Sequence, residues 1–274
     1  MKERLHDNYA YSVMANHAGL CHAIDTMVSA IVDVFDASSP TIYLYGSLPL
    51  GDFRLGWSDI DILVLTEQQI TNFQAQKLLW LRQELLQDES DNPYYRSFEG
   101  GMLSLSAFLK QQSDRVVYWG TSGQRIADTY LFDSFCRTEL LESSILLYGK
   151  DVRDCLHMPS YDDLYKDVLR HYDAILKYAK KTERSLYSFG WLLDIARGIY
   201  TVQTGNVISK TAAAEWVLEN GLCPVPEELK IALQVRKAPL EYRNDVRILD
   251  YAETLGDAVQ AFACVLGAWL KDSR

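Results

Sequence analysis

Two strand-like runs, separated by a loop rich in glycine, proline and serine, constrain the fold of this chain most strongly. The first run, 41–45, contains β-branched and aromatic residues and ends at Gly46-Ser47. The second run, 59–65, begins with Asp59-Ile60-Asp61 and continues with apolar residues. These runs predict two β-strands of an α/β domain rather than part of a helical one.

The rest of the first half alternates between helical and strand-like patterns. Helical spacing of apolar residues predicts helices over 8–36 and 67–88, and alternation predicts another strand over 98–108. We find no strand-like run of useful length after residue 120. This order predicts an α/β (α+β) domain with a mixed sheet.

The second half of the chain carries only helical patterns. A break rich in glycine, aspartate and proline over 149–159 predicts a boundary between a first domain, 1–155, and an all-α helical bundle, 156–274. The predicted helices are 127–148, 161–181, 185–204, 209–219, 226–237 and 247–271.

The composition is that of a folded, soluble protein. Apolar residues make up 48% of the 274 residues and charged residues 23%, which are ordinary values for a globular chain. The longest apolar stretch, 261–270, is too short to cross a bilayer, and the N-terminus lacks the apolar segment of a secretory signal. The five cysteines are scattered without zinc-ligand spacing. We therefore expect a cytoplasmic protein with reduced thiols and no membrane partner, and we favour a monomer.

The net charge of −10 bears on the choice of partner. Proteins that bind nucleic acid usually present a basic surface to the phosphates, so this charge argues against a nucleic-acid partner. It is compatible with a cationic partner. The alternative is that the acidic surface serves only solubility.

The segment from Gly46 to Asp61 carries the residues best suited to chemistry. Asp59 and Asp61 are two positions apart, so on a strand both carboxylates project from one face and could share Mg²⁺. Gly46 would let the backbone approach a phosphate, and Ser47 and Ser58 could donate hydrogen bonds to its oxygens. The alternative is an ordinary strand start with capping residues, but the joint pattern favours a functional site.

This joint pattern resembles the signature of the nucleotidyltransferase superfamily related to DNA polymerase β. The resemblance implies a third carboxylate on a neighbouring strand, and Glu99 within the predicted strand 98–108 is the candidate. Its alternative is an ordinary surface glutamate.

The helical half contains the segments Ala196-Arg197-Gly198-Ile199-Tyr200 and Ser209-Lys210-Thr211 with the alanines that follow. Both segments resemble the C-terminal domain of aminoglycoside adenylyltransferases, of the streptomycin and spectinomycin type. The resemblance implies that Arg197 and Lys210 reach ATP phosphates across an interdomain cleft. Without it, both would be assigned to a solvated helix face.

The chain departs from this family at the acceptor site. Tyr187 stands where streptomycin-modifying members have an aspartate, and Glu183 or Asp194 could supply a carboxylate instead. Trp119 resembles the family's drug-stacking tryptophan, with a core tryptophan as the alternative.

The resemblance implies Mg²⁺-dependent transfer of AMP from ATP to a hydroxyl of an aminoglycoside or aminocyclitol antibiotic, with release of pyrophosphate. Asp59 and Asp61 would hold the metal ion, and Glu99 would act as the base. Two alternatives remain open: another acceptor, such as a lincosamide, a different small hydroxyl compound or a protein, and a regulatory or antitoxin-like nucleotide-binding module.

Overall fold

The β-rich runs of the first half form one sheet in the computed structural model, which describes residues 19–35, 39–120 and 123–272. The sheet has six strands in the order β5-β4-β3-β2-β1-β6, and only β2 and β3 pair in parallel. The predicted mixed sheet is confirmed. The strands are β1 Thr41–Tyr45, β2 Ile60–Thr66, β3 Phe98–Ser104, β4 Val116–Gly120, β5 Gly123–Ala127 and β6 Ile145–Tyr148.

The register of the central strands sets which side chains share a face. Asp61 on β2 lies opposite Tyr45 on β1 and opposite Glu99 on β3. Because paired residues of neighbouring strands project from the same face, the two carboxylates lie side by side. The predicted strand positions of Asp61 and Glu99 are confirmed, whereas Asp59 directly precedes β2.

Helices accompany the sheet at the predicted places, with shifted ends. The predicted helix 67–88 begins later, where the Thr71 hydroxyl accepts a hydrogen bond from the Gln74 N–H in a capping box. The predicted helix 8–36 is present from residue 20 to 35, and 8–18 and 36 lie outside the described residues. The helices are α1 Leu20–Phe35, α2 Asn72–Asp88, α3 Leu105–Lys110 and α4 Ser134–Glu142.

Three sequence predictions for this half are wrong. The strand predicted over 98–108 ends at Ser104, because the Ser104 hydroxyl caps α3 by accepting the Ala107 N–H. The helix predicted over 127–148 is interrupted, because residues 145–148 form the edge strand β6 against β1. The expectation of no strand after residue 120 therefore fails for β6 and also for β5.

The second half is helical, as predicted. The Ser160 and Ser209 hydroxyls cap two of its helices, and Gly205 ends another in the left-handed conformation with a φ of 70°. The helix predicted over 247–271 is divided in two near residue 254, and 186–189 form a 3₁₀ turn. The helices are α5 Tyr161–Tyr178, α6 Gly190–Thr204, α7 Lys210–Glu219, α8 Pro226–Lys237, α9 Pro239–Tyr242, α10 Val246–Glu253 and α11 Gly256–Asp272.

The chain divides into two units. Among the described residues, the sheet unit contains those of 19–51, 59–132 and 139–158, and the helical unit contains 52–58, 133–138 and 159–272. Trp57 and Phe135 accordingly pack into the helical core. The domain boundary at residue 155 stays a prediction. Over the described residues, no helix is both long and apolar enough to span a membrane.

Candidate active site

Gly46, directly after β1, lies against the carboxylate of Asp61. Its φ of 76° belongs to the left-handed region that favours glycine. A Cβ at this position would overlap the Asp61 Oδ2 and approach its Cγ to 2.8 Å. Glycine is therefore required both by the backbone turn and by the close approach of the carboxylate.

Ser47 presents a polar atom that the surrounding protein does not satisfy. Its Oγ is buried and, among the residues that the structure describes, has no hydrogen-bond partner. A buried hydroxyl in this state costs about 1–3 kcal/mol, a cost that an external acceptor such as a phosphate oxygen would remove. Together with the glycine beside it, this hydroxyl fits a phosphate-bearing ligand.

Glu99 on β3 is held by a neighbouring tyrosine. The Tyr118 hydroxyl donates a hydrogen bond of 2.6 Å to the Glu99 Oε1, and the Arg125 guanidinium lies 4.3 Å from the centre of the Tyr118 ring. Burial, together with the bond to Glu99, raises the pKa of Tyr118 well above its usual value, so the phenol stays protonated as a donor. Tyr118 was not among the site residues predicted from the sequence.

Trp119 lies in the protein core, and its predicted role in stacking on an acceptor is wrong. The side chain is fully buried, and its Nε1 donates a hydrogen bond of 2.9 Å to the Leu78 carbonyl of α2. Successive residues of a strand point to opposite faces, so Trp119 faces α2 whereas Tyr118 faces Glu99. Tyr118, one position before it, is the aromatic residue that contacts Glu99.

A buried arginine lies near the carboxylates and was also missed. Arg82 of α2 is 6% exposed, and its guanidinium donates to the carbonyls of Phe98, at 2.7 Å, and Gly120, at 3.4 Å. Burial lowers the pKa of Arg82, and the charges of Glu99 and Asp59 oppose that effect. Because Arg82 bonds the carbonyl that precedes Glu99, it ties helix α2 to the start of β3.

The described residues were compared with the ligand sets that metal ions use in proteins. They contain no group of three or more His, Cys, Asp or Glu side chains that could hold a metal ion. Asp59 and Asp61 are the candidate ligands on the sheet unit. Mg²⁺ commonly binds one or two carboxylates and completes its shell with water and substrate phosphates, which is compatible with this pair.

In the helical unit, the two predicted phosphate ligands meet around one carboxylate. The Lys210 Nζ lies 2.7 Å from the Asp194 Oδ1, and the Arg197 guanidinium carbon lies 4.6 Å from the centre of the Phe135 ring. Burial raises the pKa of Asp194, but the charges of Lys210 and Arg197 outweigh burial and hold it below its usual value. Lys210 thus forms an ion pair with Asp194, and the charge of Arg197 acts on the same carboxylate.

Two further predicted residues are at the surface of the helical unit. Tyr187 is 62% exposed, and its ring centre lies 5.8 Å from that of Trp57. Glu183 is exposed, and its backbone N–H donates to the Ser188 Oγ at 3.0 Å.

Ser58, in contrast, is buried. Its Oγ accepts the Arg54 N–H at 3.0 Å, so its hydroxyl hydrogen remains able to donate to a ligand.

Comparison with known proteins gives consistent matches along most of the chain. Residues 158–266 match the C-terminal domain family of aminoglycoside adenylyltransferases, and residues 34–98 match the nucleotidyltransferase domain family. Spectinomycin 9-adenylyltransferases from Staphylococcus aureus strains Mu50 and N315 are each 25% identical over 206 residues, covering 72% of this chain and 76% of the relative.

A solved structure shares the fold. The crystal structure of a spectinomycin adenyltransferase from Enterococcus faecialis with ATP and spectinomycin matches with a TM-score of 0.65 at 15% identity. The match covers 90% of this chain and 98% of the other, and it confirms the predicted fold class.

Proposed function

Because the chain belongs to the aminoglycoside nucleotidyltransferase family, we propose that it transfers AMP from ATP to a hydroxyl of an aminocyclitol or aminoglycoside antibiotic, releasing pyrophosphate. The observation that carries the proposal is the arrangement at the end of β1. There, Gly46 lies against the Asp61 carboxylate and Ser47 offers a buried, unsatisfied hydroxyl. Both features suit a metal-bound triphosphate.

Asp59 and Asp61 would hold Mg²⁺. When bound, this ion would neutralise charge on the phosphates of ATP. The Ser47 and Ser58 hydroxyls would donate to phosphate oxygens, with Gly46 allowing the close approach. Arg197 and Lys210 would balance the charge on the departing pyrophosphate. These roles are supported by the family match and by the placement of Lys210 and Arg197 around the same carboxylate, Asp194.

Glu99 would accept the proton of the acceptor hydroxyl, which attacks the α-phosphorus. Its bond from Tyr118 fixes the carboxylate, and a carboxylate has acceptor sites left after one such bond. A general base must be held within reach of the proton that it accepts. Glu99 is held in place close to the carboxylates that are proposed to bind the metal ion. Most of the catalytic effect would come from positioning and electrostatics.

The acceptor is proposed to be a cationic antibiotic of the spectinomycin type. The curated relatives carry that name, and the net charge of −10 favours a cationic acceptor. Exposed Tyr187 could contact the acceptor through its ring, where streptomycin-modifying members have an aspartate, and exposed Glu183 could face an ammonium group.

The test is incubation of the protein with ATP, Mg²⁺ and a panel of spectinomycin, streptomycin and a lincosamide, followed by mass spectrometry. We expect an AMP adduct of an aminocyclitol or aminoglycoside, lost in Asp61→Asn and retained in Asp88→Asn, a matched change at the end of α2. Full turnover by Asp61→Asn would refute the site assignment. An adduct on a protein or lincosamide alone would replace the proposed acceptor.

A further inference from the structure

The segment that leads to Ser58 is anchored by a buried ion pair. Asp52 and Arg236 are 4% and 3% exposed, and the Arg236 Nη2 donates to the Asp52 Oδ2 at 2.7 Å. The same Nη2 also donates to the Asp52 carbonyl at 3.3 Å. Arg236 therefore binds both the side chain and the backbone of Asp52, and fixes the position of this residue rather than only its charge.

The same carboxylate also binds the first turn of α7. The Thr211 hydroxyl donates to the Asp52 Oδ1 at 2.6 Å, and the Thr211 N–H donates to the Oδ2 at 3.3 Å. The Ser209 hydroxyl accepts the N–H of Ala212. Because the Thr211 and Ala212 N–H groups are already bonded within the protein, they are not available to a ligand at the N-terminus of α7.

The remainder of segment 52–58 is equally fixed. Phe53 is 2% and Trp57 9% exposed, and Trp57 belongs to the helical core. The Ser58 N–H donates to the Arg54 carbonyl at 2.8 Å, and the Ser58 Oγ accepts the Arg54 N–H at 3.0 Å. Ser58 therefore has little freedom to move relative to Asp52.

We propose that Asp52, Thr211 and Arg236 form a positioning network that sets the spacing between the Ser58 hydroxyl and the Lys210 ammonium. Both groups are proposed to bind phosphates of ATP, so this inference rests on the proposed function. Thr211 follows Lys210 directly in the chain, and Ser58 ends the anchored segment. Loss of the network would allow these two ligands to move apart and would weaken nucleotide binding.

The test compares two double variants in the full chain. Asp52→Asn with Arg236→Met removes both buried charges together, which avoids leaving one of them unpaired. The control, Glu215→Gln with Lys237→Met, removes an exposed ion pair of 2.6 Å that joins the same two helices, α7 and α8, without segment 52–58. The measured quantities are the Kd for ATP in buffer containing Mg²⁺, the KM for ATP, the kcat and the unfolding midpoint.

We expect the Asp52 and Arg236 variant to raise the Kd and KM for ATP about ten-fold or more, as small displacements of binding groups do, with the control unchanged. Thr211→Val and Thr211→Ser form a milder pair that keeps the protein foldable. Valine removes the hydroxyl bond to Asp52 and should weaken ATP binding, whereas serine retains a hydroxyl and should preserve it.

Two results would overturn this inference, and they are distinguishable. If the parent binds ATP and the Asp52 and Arg236 variant or Thr211→Val lowers only the unfolding midpoint, the network has a merely structural role. If the parent itself does not bind ATP, the proposed function fails and this inference fails with it.

Discussion

Replacing Gly46 with alanine separates the role of its backbone conformation from the role of its contact with Asp61. At a φ of 76° an alanine costs about 1–2 kcal/mol of folding free energy relative to glycine. In addition, the new Cβ would overlap the Asp61 carboxylate, which must turn away. Displacement of this proposed metal ligand should lower turnover about 100-fold, since misplacement by about 1 Å has effects of that size.

The control for this substitution is Gly221→Ala. Gly221 has a φ of 65°, and a Cβ there would meet nothing within 4 Å. It should therefore lose a similar amount of stability, measured by denaturant unfolding, while steady-state AMP transfer stays at the parental rate. Parental turnover in Gly46→Ala would refute the claim that this glycine makes room for a functional carboxylate. An equal loss of turnover in both variants would assign the effect to stability alone.

Two further predictions concern the sheet unit. Tyr118→Phe removes the hydrogen bond to Glu99; because bonds to charged groups contribute about 1.5–3 kcal/mol, we expect kcat to fall about ten-fold or more with the KM for ATP nearly unchanged. An unchanged kcat would mean that Tyr118 does not position Glu99, the proposed base. Hydrogen bonds from Arg153 lower the pKa of Asp151 to about 2, so they stabilise the fold fully above about pH 4 and lose this effect as the pH falls through 2. Asp151→Asn should therefore lower the unfolding midpoint at neutral pH, and the difference from the parent should vanish near pH 2. A difference that is constant over this range would contradict the assignment.

The parts of the site that local sequence could predict are those that lie close together in the chain. Gly46, Ser47 and Asp61 belong to one strand–loop–strand segment, and their arrangement follows from the turn after β1 and the start of β2. Glu99 was reached through a resemblance and confirmed in position by the register of β2 and β3.

The parts that sequence could not predict depend on pairing and on distant contacts. Tyr118 and Trp119 are both aromatic, and only the strand register decides which of them faces Glu99. The strand β6 is short, and its pairing with β1 outweighs its local helical pattern. The anchoring of Asp52 depends on Arg236, 184 residues away in the chain, so no local pattern could indicate it.

The central claim is nucleotidyl transfer, and the fate of the individual phosphates of ATP tests it most directly. The protein would be incubated with Mg²⁺, with ATP labelled at either the α- or the γ-phosphate, and in turn with each antibiotic of the panel of spectinomycin, streptomycin and a lincosamide, and the products would be separated by chromatography. We predict that the α-label appears on the antibiotic and that the γ-label appears in pyrophosphate. A γ-label on the antibiotic, or no label on any acceptor of the panel, would contradict the proposed function.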